Sequence, residues 1–313
     1  MPVHMTEYAI GLDLSGAGLR AAAIDKSGTL LEKVSGATRC EEGREAVLST
    51  IAAAIDGLRA TLGADGLRGI GVGVPGFIRM KEGLIANSTN LSCLENVPIR
   101  DVLSSRLKTR VILENDANAA VLGEKWMGAG RDVDDLVLLT LGTGIGGGII
   151  SGGRIVRGRG GMAGEFGHIS VVPNGNPCGC GNRGCLEKHA SAEAVSAMAR
   201  LMQLGENLSA TEIYQLASQN TEAGEKARVV WQVAGEALGM AMAVLVNTFN
   251  FPLYLLGGTM LPAWKYFAPH MIRVLSRRSF TFRATAHETR IAPAKLGDMA
   301  GLYGAAYLPW VEK

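Results

Sequence analysis

Tyr8-Ala-Ile-Gly-Leu-Asp13-Leu-Ser-Gly-Ala-Gly18 is the stretch whose reading decides the fold. Tyr8 to Asp13 reads as a buried strand, Leu14 to Gly18 as a turn, and Leu19 to Ile24 as a second strand that turns at Asp25-Lys-Ser-Gly28. The pattern returns at Leu136-Val-Leu-Leu-Thr-Leu141, where a turn is expected over Gly142 to Gly148 and a returning strand at Ile149-Ile150, ending in Ser151-Gly-Gly153. Two such units in separate halves predict an internal duplication. Around them, residues 43–62 carry Val47, Leu48, Ile51, Ile55 and Leu58 at helical spacing. Gly69 to Val74, Arg110 to Leu113 and Leu253 to Leu256 read as strands; Glu193 to Leu204, Glu225 to Phe249 and Gly301 to Trp310 read as helices. Strands alternating with helices predict α/β architecture with mixed sheets.

At 313 residues the chain suits two domains, and 47% apolar with 19% charged residues is the balance of a soluble globular protein. A net charge of +2 without a Lys/Arg run argues against nucleic acid as a partner. The first ten residues lack the basic start and apolar stretch of a signal peptide, and no apolar run approaches the roughly 18 residues of a spanning helix. Five cysteines, three of them within eight positions, argue against a disulfide framework. Cys40 and Cys93 read as isolated and inert, and a cytoplasmic location fits.

The glycines gather in loops. Gly142-Thr-Gly-Ile-Gly-Gly147 and Gly71-Val-Gly-Val-Pro-Gly76 both match the dinucleotide pattern. That pattern needs a helix opening straight after the loop, whereas the first continues as a hairpin and Pro75 interrupts the second. What remains is simpler: glycine turns expose N–H groups and let phosphate oxygens approach. Asp13 at the first strand tip can hold Mg²⁺ through its carboxylate. Two such loops, with Gly257-Gly258 after a third strand, point to a nucleotide site.

Cys178-Gly-Cys180-Gly-Asn-Arg-Gly-Cys185 offers three thiolates to one ion. Zinc takes four tetrahedral ligands, and either His168 or His189 can supply the fourth; a closed Cys₃His site is structural. Glu114-Asn115-Asp116-Ala117-Asn118 sits between a strand and an alanine-rich helix. A carboxylate there suits a general base for a hydroxyl or a helix cap. Glu165, His168 and Glu187 bracket the cysteines, and carboxylates and imidazoles of this kind bind sugar hydroxyls.

Together these segments resemble the ROK family of repressors, open reading frames and kinases, especially its glucokinase-like members, from about Ile10 to Ala306. Gly164-Glu165-Phe-Gly-His168 and Cys178-X-Cys180-Gly-X-X-Gly-Cys185-X-Glu187 carry most of the likeness. The resemblance implies an actin-like, hexokinase-type fold of two duplicated ribonuclease-H-like units with an inter-domain cleft. It further implies a smaller domain over 1–117, with 299–313 returning to it, and a larger zinc-bearing domain over 118–298. By resemblance, Asp116 is the catalytic base, and Gly76, Asn90, Asn115, Glu165, His168 and Glu187 line the sugar site together with Asp116. Asp13, Gly16, Gly142, Thr143, Gly144, Gly146, Gly257 and Gly258 fall in the nucleotide loops. His168, Cys178, Cys180 and Cys185 match the zinc ligands.

The implied activity is an ATP- and Mg²⁺-dependent kinase of a hexose, glucose first, in a cytoplasmic homodimer. N-acetylglucosamine, N-acetylmannosamine and fructose are alternatives. One departure stands out: the family's Asp-X-Gly-Gly-Thr reads Asp13-Leu14-Ser15-Gly16-Ala17 here, without the threonine hydroxyl that would meet a phosphate. A sugar-binding protein with a degenerate phosphate loop is therefore a further reading.

Overall fold

The computed structural model describes residues 7–16, 18–88 and 90–312; Ala17, half of the departure above, lies outside them. β1 (Tyr8–Leu14) and β2 (Leu19–Asp25) pair antiparallel, with Asp13 opposite Arg20. β3 (Leu30–Gly36), a largely exposed edge strand of mixed polarity, pairs with β2. After α1 (Arg44–Leu62) come β4 (Leu67–Val74), the small hairpin β5 (Phe77–Arg79) and β6 (Leu84–Asn87), α2 (Ile99–Leu107), β7 (Val111–Asn115) and α3 (Asp116–Trp126). The sheet order is β3-β2-β1-β4-β7, with β4 and β7 parallel to β1.

The order recurs. β8 (Leu136–Leu141), β9 (Ile145–Ser151) and β10 (Arg154–Ile155) are followed by α4 (Glu187–Ala190), α5 (Ala192–Leu201), α6 (Ala210–Ala217) and α7 (Glu222–Phe249). Then come β11 (Leu253–Gly257), α8 (Trp264–Arg278), α9 (Phe280–Thr285), β12 (Arg290–Pro293) and α10 (Ala300–Val311). The second sheet runs β10-β9-β8-β11-β12, with β11 parallel to both β8 and β12. The glycine turn is shorter than its sequence suggests. It covers Gly142 to Gly144, and Gly146, Gly147 and Gly148 already belong to β9.

Two compact units result: residues 1–134, 148–163 and 298–313, and residues 135–147 with 164–297. The first break falls after Asp134 rather than at residue 117, because α3 packs on α10 and β4 and stays with the first unit.

Strand alternation gives the first sheet two different faces. Ile10, Leu12, Leu14, Ile70, Val72 and Val74 form one core with Val47, Ile51 and Ile55 of α1. On the other face β1 and β4 present Gly11, Asp13, Gly69, Gly71 and Gly73. A Cβ on Gly71 would run into the carbonyl of Ala305, and one on Gly11 into that of Leu302. The Gly-X-Gly-X pattern of β4 is thus a seat for α10. Gly304 of α10 lies against the Ala119 carbonyl of α3 with no room for a Cβ. Gly304→Ala is expected to cost roughly 1–3 kcal/mol by overpacking, lowering the melting temperature by several degrees; an unchanged calorimetric Tm would refute this.

Two expectations are corrected. Cys40 and Cys93 are not isolated: they form a disulfide with their Cα atoms 5.8 Å apart. Contrary to the reading of the apolar runs, the 28-residue α7 is long and apolar enough to span a membrane. Of its most apolar window, 67% is buried inside the protein, and it packs along α8 as a core helix.

Candidate active site

At the end of β7, Asn115 keeps extended backbone angles, and its Oδ1 accepts from the N–H groups of Ala117 at 2.9 Å and Asn118 at 3.1 Å. Asn115 is therefore the cap of α3, satisfying donors that the helix start leaves open. Spacing alone left Asp116 as either cap or base; the structure gives the capping role to its neighbour. Asp116 is the first helical residue, and its Oδ1 accepts from the Ala117 N–H at 2.8 Å.

Asn115 also donates through Nδ2 to the Gly76 carbonyl at 3.3 Å. Gly76 has φ +102°, where a side chain is strained, and a Cβ there would overlap the Asn87 carbonyl. The structure thus brings Gly76, Asn115 and Asp116 together in the first unit. Asn90 lies instead beside the first loop, its carbonyl oxygen 2.9 Å from where a Cβ of Gly16 would stand.

In that loop the exposed Ser15 hydroxyl folds back onto Gly18. It donates to the Gly18 carbonyl at 3.0 Å and accepts from the Gly18 N–H at 3.1 Å. Asp13, placed on the α10 face by strand alternation, is ion-paired with Arg20, which reaches Asp298 at 3.2 Å. The sequence reading missed Arg20 and Asp298. Arg20 could have been found, since a hairpin register sets it opposite Asp13; Asp298 comes from 278 positions beyond Arg20 with no local signal.

In the second unit, Glu187 opens α4 and its Oε2 accepts from the Ile145 N–H at 3.0 Å. The same oxygen lies 2.5 Å from where a Cβ of Gly144 would stand, so a side chain there would push the carboxylate aside. Gly142 bonds across the turn to the Gly144 carbonyl at 3.0 Å. Gly257 ends β11, and Gly258 follows at φ +96° against the Leu141 carbonyl. Beside this turn Thr143 lines a cavity of about 470 Å³ with Glu193, Ser196 and Arg200 of α5 and Asn207 and Ser209 beyond it. Only Thr143 of that lining was anticipated; the rest come from a helix face that reads in sequence as an ordinary solvated surface.

Glu165 and His168 sit on one 3₁₀ turn, with Glu165 Oε2 and His168 Nε2 3.9 Å apart. Partial loss of water pushes the Glu165 carboxyl above its ordinary range, with His168 opposing and Glu187 adding to the rise. The other histidine nitrogen, Nδ1, faces Cys178 Sγ at 3.6 Å, and Cys180 and Cys185 sulfurs are 3.7 Å apart. All four donor atoms lie within 4.8 Å of one another. Tetrahedral zinc with sulfur at about 2.3 Å needs sulfurs about 3.8 Å apart, so the cluster fits that ion. Burial and the adjacent thiols push Cys185 up to about 12, which a bound cation would reverse. His189, the rival fourth ligand, is outside the cluster, its Nε2 buried without a partner among the described residues.

The family model described as ROK family matches residues 9–311. The chain is 37% identical over 315 residues to a glucokinase of Thermotoga maritima, with 95% of each chain covered. It superposes on the ROK hexokinase from Thermus thermophilus with a TM-score of 0.84 and 32% identity, covering 97% of this chain and 98% of the other. A ROK family glucokinase from Streptomyces griseus, in complex with glucose and AMPPNP, matches with a TM-score of 0.79 and 31% identity over 96% and 98% of the two chains.

Proposed function

The chain belongs to the ROK family, and from that premise we propose that it moves the γ-phosphoryl group of ATP onto the 6-hydroxyl of glucose. It is an ATP-dependent sugar kinase of the actin-like fold. The observation that carries the proposed chemistry is the division of labour at the start of α3. Asn115, not Asp116, caps the helix, and the acid–base work is assigned to the Asp116 carboxylate at the helix start. Asp116 takes the proton of the 6-hydroxyl as that oxygen bonds to the γ-phosphorus and the bond to the β-phosphate oxygen breaks, releasing ADP.

Asn115, Glu165, His168 and Glu187 are the proposed partners of the sugar hydroxyls, with Gly76 and Asn90 as backbone contacts. The Gly142–Gly144 turn, Gly257-Gly258 and the cavity beside Thr143 are proposed to take the nucleotide. Mg²⁺ bound with ATP would neutralise charge on the phosphates. Asp13 Oδ1 has no partner among the described residues and is placed to receive it, directly or through water. Zinc on His168, Cys178, Cys180 and Cys185 would be structural. We place the protein in the cytoplasm as a homodimer; the Cys40–Cys93 pair would be reduced there, and sedimentation at several concentrations tests the dimer.

A coupled ADP assay over glucose, N-acetylglucosamine, N-acetylmannosamine and fructose tests the proposal. Turnover greatest with glucose supports it. Glucose binding without ADP release from any hexose would sink it in favour of a non-catalytic sugar-binding protein.

The first loop predicts weak use of ATP. Ser15 offers its hydroxyl to Gly18, so it does not replace the missing threonine. Ser15→Gly with Ala17→Thr should raise kcat/KM for ATP several-fold, the worth of one neutral hydrogen bond of about 0.5–1.5 kcal/mol. No gain in steady-state assays would show that the departure is silent.

A further inference from the structure

We infer that Arg157 is a positioning residue for phosphoryl transfer, acting on Asp116 through the buried carboxylate of Glu114. The inference rests on the reading of Asp116 as the base, and everything in it lies within the first unit.

Glu114 is the next-to-last residue of β7, with only 1% of its surface exposed. A carboxylate so far from water is stable as an anion only when paired and hydrogen-bonded. Its two oxygens divide the work. Oε2 accepts from Arg157 Nε at 2.6 Å. Oε1 accepts from the Asn115 N–H at 3.0 Å and from Asn118 Nδ2 at 3.0 Å. Asp116 therefore stands between two residues that the same carboxylate oxygen holds.

The grip extends to the side chains. Asn118 Oδ1 has no partner among the described residues, so Glu114 is what orients that amide. The backbone N–H of Asn118 in turn goes to Asn115 Oδ1, the cap, whose Nδ2 reaches Gly76. Arg157 comes from the loop after β10, 43 positions away in sequence, and its other nitrogen pairs with Glu312. One oxygen turned to the guanidinium and the other to the helix start make Glu114 a hub with Arg157 as its fixed end. Without Arg157 the buried anion loses its charged partner and must turn toward water, or the loop after β10 must give way to let water in. Either change loosens the segment that sets the direction of the Asp116 carboxylate.

The test measures kcat, KM for glucose, KM for ATP and thermal unfolding for Arg157→Met, Arg157→Lys, Glu114→Gln, the double variant Glu114→Gln/Arg157→Met, and Asp116→Asn. Arg157→Met is expected to lower kcat/KM for glucose about 100-fold, the size of effect that a misplaced reacting group produces, with KM for ATP unmoved. Arg157→Lys, which keeps the charge but not the fork, should recover part of the loss. The double variant should be no worse than the poorer single one, because both remove the same link. Wild-type kcat in Arg157→Met overturns the inference, as do losses that multiply in the double variant or a rise in KM for ATP. If Arg157→Met fails to fold, Glu114→Gln decides: a folded protein with full kcat overturns it, and a folded protein with reduced kcat supports it. Asp116→Asn separates the two readings. Full turnover there defeats the base assignment and this inference with it, whereas an inactive Asp116→Asn beside a fully active Arg157→Met defeats this inference alone.

Discussion

Asp116→Asn lowers kcat by about 10²–10⁴-fold, the usual contribution of a general base, while glucose still binds. The amide oxygen of asparagine can keep the hydrogen bond that Asp116 Oδ1 accepts from Ala117, and the cap of α3 belongs to Asn115, so the helix start survives. What disappears is the group proposed to take the proton. The change also removes a charge at the helix N-terminus, a matter of about 0.3–1 kcal/mol. Steady-state kinetics beside calorimetric titration of glucose check the split. Wild-type turnover would leave Asp116 with no role beyond its place in the helix.

Cys180→Ser is expected to lose the proposed zinc and, with it, most sugar binding. A hydroxyl is a poor replacement for a thiolate on zinc, and the remaining three donors cannot close a tetrahedral site. The metal is argued to hold more than its own ligands. His168 shares its 3₁₀ turn with Glu165, and Glu187 follows Cys185 by two residues. Releasing the cluster therefore frees all three proposed sugar contacts of this unit. Disturbing groups that orient a metal site typically costs 10–100-fold, and glucose affinity should fall at least that far. Elemental analysis should find about one zinc per chain in the parent and little in the variant; a zinc-free parent with ordinary glucose affinity would remove the metal from the account.

The strands that were legible in the sequence are those buried on both faces. β1, β4, β8 and β11 are apolar or glycine runs with at most one polar residue each, Asp13, Arg68 and Thr140. β3 was missed because Leu-Leu-Glu-Lys-Val-Ser-Gly is largely exposed and shows no alternation. β12 is only Arg-Ile-Ala-Pro, and Pro269 inside α8 blurred a helix of 15 residues. At the site, the cysteine cluster was legible because its donors are of one type and close in sequence. Arg157 and the Cys40–Cys93 pair were not, since partners 43 and 53 positions apart leave no local pattern. The glycines of β4 were legible as unusual but not as packing. Only the presence of α10 against them tells a seat for a helix from a loop for a phosphate.

The seat of α10 has a consequence for how the protein is made. Leu302, Ala305 and Ala306 fill a glycine-lined face of strands that emerge from the ribosome first, while α10 itself begins only at Ala300. At ordinary synthesis speeds that helix arrives on the order of ten seconds later. Through that interval the part of the sheet face that α10 fills stays uncovered, although α3, which packs on β4, is already made. The early half of the chain is then expected to lean on chaperones, and for longer wherever translation of the later half is slow.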